Sequence, residues 1–173
     1  MSKRISFEFF PPKTDKGWEK LQGVRNTLAE VDPDFFSVTF GAGGSTRDRT
    51  VQTVLDLHKR GVSTAPHLSC VGATRDSIAE LLDVYRDNGI NRIVALRGDM
   101  PSGMGAAGEL RYANELVSFI REYSGDTFNI EVAAYPEFHP QARTAEDDLK
   151  NFARKVEAGA NSAITQYFFN ADC

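Results

Sequence analysis

In the stretch Ser6-Phe7-Glu8-Phe9-Phe10-Pro11-Pro12 a single carboxylate stands among aromatic residues. In an extended chain Ile5, Phe7 and Phe9 point to one side, and Ser6, Glu8 and Phe10 to the other. The double proline stops the strand just beyond the acid. An acid at the end of a buried strand is costly to ionise, so desolvation raises its pKa. That setting suits a general acid working near neutral pH. A glutamate paired with a neighbouring basic residue for structure is the plainer alternative.

Other stretches carry polar groups at places where chemistry could be done. Gly41-Ala42-Gly43-Gly44-Ser45-Thr46 lacks the third glycine of a dinucleotide fingerprint and is followed by no Gly-Lys-Ser/Thr. Its backbone N–H groups could still meet an anion at a helix start, or the loop could be a plain tight turn. Arg97-Gly98-Asp99 ends an apolar strand and leads into a loop with Gly103, Gly105 and Gly108. Structural ion pairing is its simplest use, and a cell-adhesion role does not suit a buried strand. Asp148, Asn151 and Lys155, at i, i+3 and i+7, form a polar stripe on one helix, which is ordinarily a solvated face. In Tyr135-Pro136-Glu137-Phe138-His139-Pro140 a proline-stiffened loop holds His139, a candidate donor to a phosphate or sugar hydroxyl, or simply a loop residue in water.

Elements alternating strand and helix must position these groups. Strands are expected over roughly Arg4 to Phe10, Phe35 to Phe40, Thr64 to Cys70, Arg92 to Leu96, Phe128 to Tyr135 and Ser162 to Phe169. Helices are expected from about Lys16 to Glu30, Arg47 to Arg60, Arg75 to Asn88, Glu109 to Tyr123 and Thr144 to Ala158. Their apolar stripes are Trp18, Leu21, Val24 (or Arg25) and Leu28 in the first, Ile78, Leu81, Leu82 and Tyr85 in the third, and Leu149, Phe152, Ala153 and Val156 in the fifth. Thr144 with Asp147 three residues on resembles a capping box. Gly61, Gly89 and Gly159 close helices just before strands, where a left-handed cap is needed.

A βα repeat of about 30 residues predicts a parallel sheet. A doubly wound sheet and a (β/α)8 barrel both fit it. Glu8, Thr39, His67, Arg97 with Asp99, Tyr135 and Gln166 all fall at the C-terminal ends of successive strands. A barrel gathers such ends around one mouth, so the expected fold class is an α/β (β/α)8 TIM barrel, incomplete here with about six strands and five helices. Residues 1–173 are expected to form one such partial barrel with no second domain, its first and last strands open.

Composition sets outer bounds. A net charge of -4 without a dense Lys/Arg cluster argues against a nucleic-acid groove. No apolar run approaches the roughly 18 residues of a membrane span, and the N-terminus leads straight into a strand without a secretory h-region. Cys70 and Cys173 cannot build a disulfide framework, Cys70 reads as a core residue, and the three histidines lack metal-ligand spacing. A cytoplasmic, metal-free protein is expected.

Six segments in order resemble the methylenetetrahydrofolate reductase family, in its bacterial form. They are F-E-F-F-P-P (7–12), V-T-F-G-A-G-G-S-T-R-D-R-T (38–50), A-P-H-L (65–68), A-L-R-G-D (95–99), A-A-Y-P-E-F-H-P (133–140) and A-G-A-N-S-A-I-T-Q-Y-F-F (158–169). The resemblance implies FAD held at the C-terminal rim of a barrel, reduced by NAD(P)H. Methylenetetrahydrofolate then takes the hydride to give 5-methyltetrahydrofolate. It further implies that Glu8 protonates folate N5 and that Asp99 lies close to the flavin ring and pterin. Thr39, Asp99 and Gln166 match the shared nucleotide and folate pocket. The implied FAD contacts are Phe40, Ala42, His67, Arg97, Gly98, Asp99 and Ala113, followed by Tyr135, His139, Ala142, Asp148, Asn151, Arg154 and Lys155. On that basis the polar stripe faces cofactor rather than water, with Arg154 and Lys155 countering charge. Family catalytic domains continue for about three further strands, and a homo-oligomer is implied for the full-length protein. A truncated, non-catalytic flavin-binding or interaction remnant is the alternative. A Schiff-base aldolase would need a lysine at a strand end, and none stands there.

Overall fold

The computed structural model describes residues 4–40, 44–99 and 108–173. Its elements are β1 (Ser6–Phe9), α1 (Asp15–Ala29), β2 (Phe35–Val38), α2 (Gly44–His58), β3 (Thr64–Ser69) and α3 (Arg75–Asp87). They continue with β4 (Arg92–Leu96), α4 (Ala113–Ser124), β5 (Asn129–Ala134), α5 (Ala145–Glu157) and β6 (Ser162–Thr165). The strands lie in sequence order, every neighbouring pair parallel. All six C-terminal ends therefore share one edge of the sheet.

Strand alternation sorts side chains onto two faces. Phe9, Phe36, Val38, Leu68, Ile93, Ile130 and Val132 pack with Leu21 of α1, Val54 and Leu57 of α2, Leu82 and Tyr85 of α3, and Leu116 and Ile120 of α4. On the other face Phe35, Ala65 and Val94 form a small cluster without helical members. A doubly wound sheet would carry helices on both faces. Here the helix-free face is concave: Arg92 of β4 reaches across β3, its guanidinium 4.6 Å from the Phe35 ring centroid. The sheet is a curled half-barrel with its helices outside, as the expected fold class requires.

Polar groups at the lower end of the concave face satisfy one another. Arg92 Nη1 donates to Glu131 Oε1 at 2.5 Å, Asn129 donates to the same oxygen at 3.0 Å, and Ser162 Oγ donates to Glu131 Oε2. A buried carboxylate so surrounded avoids the desolvation penalty of an unpaired charge.

Several expected boundaries shift for physical reasons. The last strand ends at Thr165 rather than Phe169, because its partner β5 ends at Ala134 before the Tyr135-Pro136 turn. The chain then turns so that Phe169 N and Asn170 N donate to Glu137 Oε1 at 3.2 and 3.0 Å. The second strand ends at Val38, and the first is shorter than Arg4 to Phe10. The second helix begins at Gly44 rather than near Arg47. The fourth begins at Ala113 rather than Glu109, since Glu109 Oε2 instead accepts the Arg75 N–H at the start of α3, at 2.7 Å. On α1, Arg25 occupies the buried position at 3% exposure, and Val24 faces out. The expected α3 stripe is buried throughout. The α5 stripe is not: Leu149 is 67% and Val156 50% exposed at the open side of the sheet, and only Phe152 packs against the core. Thr144 accepts from Asp147 N at 3.0 Å, while the two-way capping box forms at Thr74 and Ser77. Gly61, Gly89 and Gly159 take φ of 92, 77 and 109°, as helix-ending glycines do.

Arg121 locks the outer strands to α4. Its guanidinium donates to Gly159 O (2.8 and 3.0 Å), Phe128 O (2.9 Å), Gly125 O (3.0 Å) and Asn161 Oδ1 (2.6 Å). An ammonium cannot reproduce that fork. Arg121→Lys is expected to lower unfolding free energy by roughly 2 kcal/mol in urea titrations. A loss below about 0.5 kcal/mol would mean that these carbonyls find other partners.

Candidate active site at the strand C-terminal edge

Glu8 on β1 aligns with Ser37 on β2, and Ser37 with Ala65 on β3. His67, two residues beyond Ala65, faces the same way. Curling brings them together: His67 Nε2 lies 3.3 Å from Glu8 Oε2. The strand carrying Glu8 is an edge strand, not a buried one, and the Glu8 side chain is 50% exposed against 12% for His67. Burial raises the Glu8 carboxyl above the ordinary glutamate range. Burial also pulls His67 down to about 4, so the ring is neutral near pH 7 and gives Glu8 no counter-charge. Among the described residues no lysine or arginine makes an ion pair with Glu8.

Further along the same edge, a groove of about 750 Å³ is bounded by Arg97 after β4, Ala113 opening α4, Tyr135, His139 and Ala142 after β5, and the inner side of α5. Asp148, Asn151, Arg154 and Lys155 supply that inner side. Pro136 ends the strand, and Phe138 takes a left-handed φ of 71° that turns the chain back. His139 N then donates to Asp148 Oδ2 at 3.1 Å. Gln141 N donates to His139 Nδ1 at 3.0 Å, which places a ring hydrogen on Nε2. The Tyr135 ring meets His139 edge-on at 4.5 Å. The Tyr135 phenol is raised by burial first, then by the charges of Asp99 and Asp148.

The cations are used differently. Arg97 Nη2 donates to Gln141 Oε1 at 2.6 Å and makes no ion pair with Asp99 among the described residues. Lys155 turns inward, Nζ donating to Ala133 O at 2.5 Å, and its pKa is lowered by burial, opposed by Asp148. Arg154 is exposed and donates to Asn151 Oδ1 at 2.8 Å. Of the two charges expected to counter an anion, Arg154 is therefore the one open to the groove.

Of the remaining expected site residues, Phe40 packs partly buried against the core, and Thr39 O accepts from Thr50 Oγ1 at 3.1 Å just past β2. Gly98 makes the turn between Arg97 and the exposed Asp99. Gln166 N donates to Ala134 O at 2.8 Å at the top of β6. Ala42 lies outside the described residues. Gln141, Arg143, Asn114 and Lys150 also line the groove. Nothing in their local sequence marks them: Gln141 and Arg143 reach the groove from the loop after β5, Asn114 from α4 and Lys150 from α5.

The family model for methylenetetrahydrofolate reductase matches residues 1–173. A 5,10-methylenetetrahydrofolate reductase of Salmonella typhimurium is 47% identical over 169 residues, 97% of this chain and 56% of that protein. Methylenetetrahydrofolate reductase (NADH) 1 of Arabidopsis thaliana is 39% identical over 97% of this chain and 31% of its own length. The chain thus spans about half the length of the bacterial relatives it matches. Among solved structures, a Clostridium thermocellum protein described as binding two copies of 5-methyl-5,6,7,8-tetrahydrofolic acid aligns with TM-score 0.63 at 17% identity, over 99% of this chain and 57% of that one. A putative lyase/mutase from Burkholderia cenocepacia aligns with TM-score 0.64 at 16% identity, over 99% and 63%. These two likenesses concern the fold alone. The match over the whole chain and the identity to the bacterial relatives agree: this chain belongs to the methylenetetrahydrofolate reductase family.

Proposed function

We propose that the chain carries the flavin site and proton donor of an NAD(P)H-dependent reductase that converts 5,10-methylenetetrahydrofolate to 5-methyltetrahydrofolate. The supporting observation is the groove along the strand ends, on the same edge as Glu8, with Arg97, His139, Asn151 and Arg154 around it. Its volume is that of a cofactor site, and its donor set suits FAD. Arg97 and Arg154 present guanidinium groups to a diphosphate, His139 presents Nε2–H to phosphate or ribose, and Ala113 and Ala142 leave room. When bound, a flavin would supply hydride chemistry between NAD(P)H and the folate. The chain's own residues do the rest. Glu8, its carboxyl raised by desolvation, would give its proton to folate N5 and open the imidazolidine ring. Asp99, exposed at the rim, places negative charge beside the pterin, where a cationic iminium would be favoured. Thr39 and Gln166 would orient nucleotide and folate in turn.

Purified protein is expected to be yellow, to bleach with NADH without air, and to recover colour when methylenetetrahydrofolate is added. One observation favours a second reading for the isolated chain: no residue of α5 or β6 is buried, so the wall beyond Gln166 is open. On that reading the protein binds flavin without folate turnover. A colourless protein that never oxidises NADH would leave only an interaction remnant.

A further inference from the structure

One residue at the groove joins the loops that follow β4 and β5. The turn after β5 closes with Ala142 N donating to His139 O at 2.8 Å, and Pro140 and Gln141 are its two central residues. Proline suits the first of these places, where its fixed φ starts the turn. Gln141, at the second, makes two contacts. Its N–H donates to His139 Nδ1 at 3.0 Å, and its Oε1 accepts from Arg97 Nη2 at 2.6 Å. The second contact crosses to the end of β4. There the Arg97 backbone is already fixed, since Ser69 Oγ and Val71 N each donate to its carbonyl at 2.9 Å. Its side chain is held less firmly. Nε donates at 3.2 Å to the carbonyl of the next residue, Gly98, which turns with it. Among the described residues, Gln141 is the one hydrogen-bond partner of the guanidinium outside its own turn.

A long side chain held only at its own turn samples many rotamers, and ordering it on binding lowers affinity. Holding it in place beforehand removes that loss. An amide oxygen does so without cancelling the guanidinium charge, which a carboxylate in the same place would offset. Two of the five N–H groups are then occupied, at Gly98 and Gln141, and the rest stay available to anion oxygens in the groove. We propose that Gln141 is a positioning residue for the anion-binding end of the groove: its side chain aims Arg97, while its backbone N–H holds the His139 ring by Nδ1. The two donors assigned to diphosphate and ribose are thereby set by one residue that acts through them. The identity of the ligand rests on the flavin reading of the groove, whereas the aiming of Arg97 does not.

Gln141→Met removes the side-chain arm alone. It keeps the backbone N–H to His139 and an unbranched side chain, but offers no strong acceptor to Arg97. Gln141 is exposed, so the urea midpoint of this variant should match the parent's. FAD and ADP are each titrated into the flavin-free whole chain as parent, Gln141→Met, Arg97→Met and the double variant. Gln141→Met is expected to weaken FAD binding about tenfold, and Arg97→Met by more. The double variant should bind no more weakly than Arg97→Met, because the amide then has nothing to aim. In nitrogen-15 spectra of the arginines, the Nε–H signal missing from Arg97→Met should belong to an ordered group in the parent and to a freely moving one in Gln141→Met. FAD held by either single variant as tightly as by the parent, additive losses in the double variant, or an Arg97 signal unmoved by Gln141→Met would each overturn the proposal. A lowered urea midpoint in Gln141→Met would do so too, by assigning the residue a structural role. ADP binding that depends on both residues, with no binding of FAD, would sink the flavin reading alone. FAD binding that ignores Gln141 would sink this inference alone, and binding of neither ligand would sink both.

Discussion

Glu8→Gln is expected to leave reduction of the bound flavin by NADH within about twofold of the parent rate, and to slow the methylenetetrahydrofolate half-reaction by at least ~10²-fold. The amide has the carboxyl's shape, keeps the strand register with Ser37, and fills the same space beside His67. It lacks the acid proton. Hydride transfer from NADH asks for no proton at that position, whereas opening the folate ring does. Anaerobic stopped-flow measurement of each half-reaction separates the two demands. The pH profile adds a sign. Burial raises the Glu8 carboxyl, and with the acid form active under the proposed function, the folate half-reaction should fall as pH rises through the Glu8 midpoint. The residual rate of Glu8→Gln should show no such step. Equal loss in both half-reactions would contradict the assigned role and point to a structural one.

The place of Glu8 near a strand end was legible because strand alternation and a double proline are local signals, but that its strand is an edge rather than a buried one was not. Nor was the neighbour of Glu8. His67 meets it only because the sheet curls, and curl is a property of the assembled strands. The helices divide in the same way. Spacing marks an apolar stripe on both α3 and α5, yet Ile78, Leu81, Leu82 and Tyr85 are buried while Leu149 and Val156 are not. Periodicity says which side of a helix is apolar, and only tertiary structure says what covers it.

Element ends were misread where a distant group took over. Tyr167, Phe168 and Phe169 have strand character, but a parallel strand lasts only as long as its neighbour, and β5 turns off at Tyr135. Glu109 belongs by composition to a helix start, and it does serve one, at Arg75. Around the groove, the Asp148, Asn151 and Lys155 stripe follows from helical spacing. That Lys155 spends its ammonium on Ala133 O, leaving Arg154 outward, depends on how closely α5 approaches β5.

The second large effect is expected at Gly98, where backbone and site geometry meet. Its φ is +85°, and a Cβ there would lie 2.0 Å from Ser69 Oγ and 2.8 Å from Val71 Cγ1. Ser69 Oγ and Val71 N both donate to Arg97 O, each at 2.9 Å, so the turn that aims Arg97 and Asp99 is fixed by the group a side chain would strike. Gly98→Ala adds about 1–2 kcal/mol of left-handed strain, about 1 kcal/mol for a lost hydrogen bond, and overpacking besides. A loss of roughly 3 kcal/mol in urea unfolding is expected, with a fall in flavin retention as Arg97 and Asp99 move. Ser69→Ala made in the same chain should return part of the stability, because it removes the nearest atom, so the double-mutant cycle should be non-additive. Gly23→Ala, with nothing within 4 Å of the new methyl and a helical backbone, serves as the control, and should stabilise by about 0.5–1 kcal/mol. An additive cycle at Gly98 and Ser69, or flavin held as tightly as in the parent, would show that this turn does not aim the site.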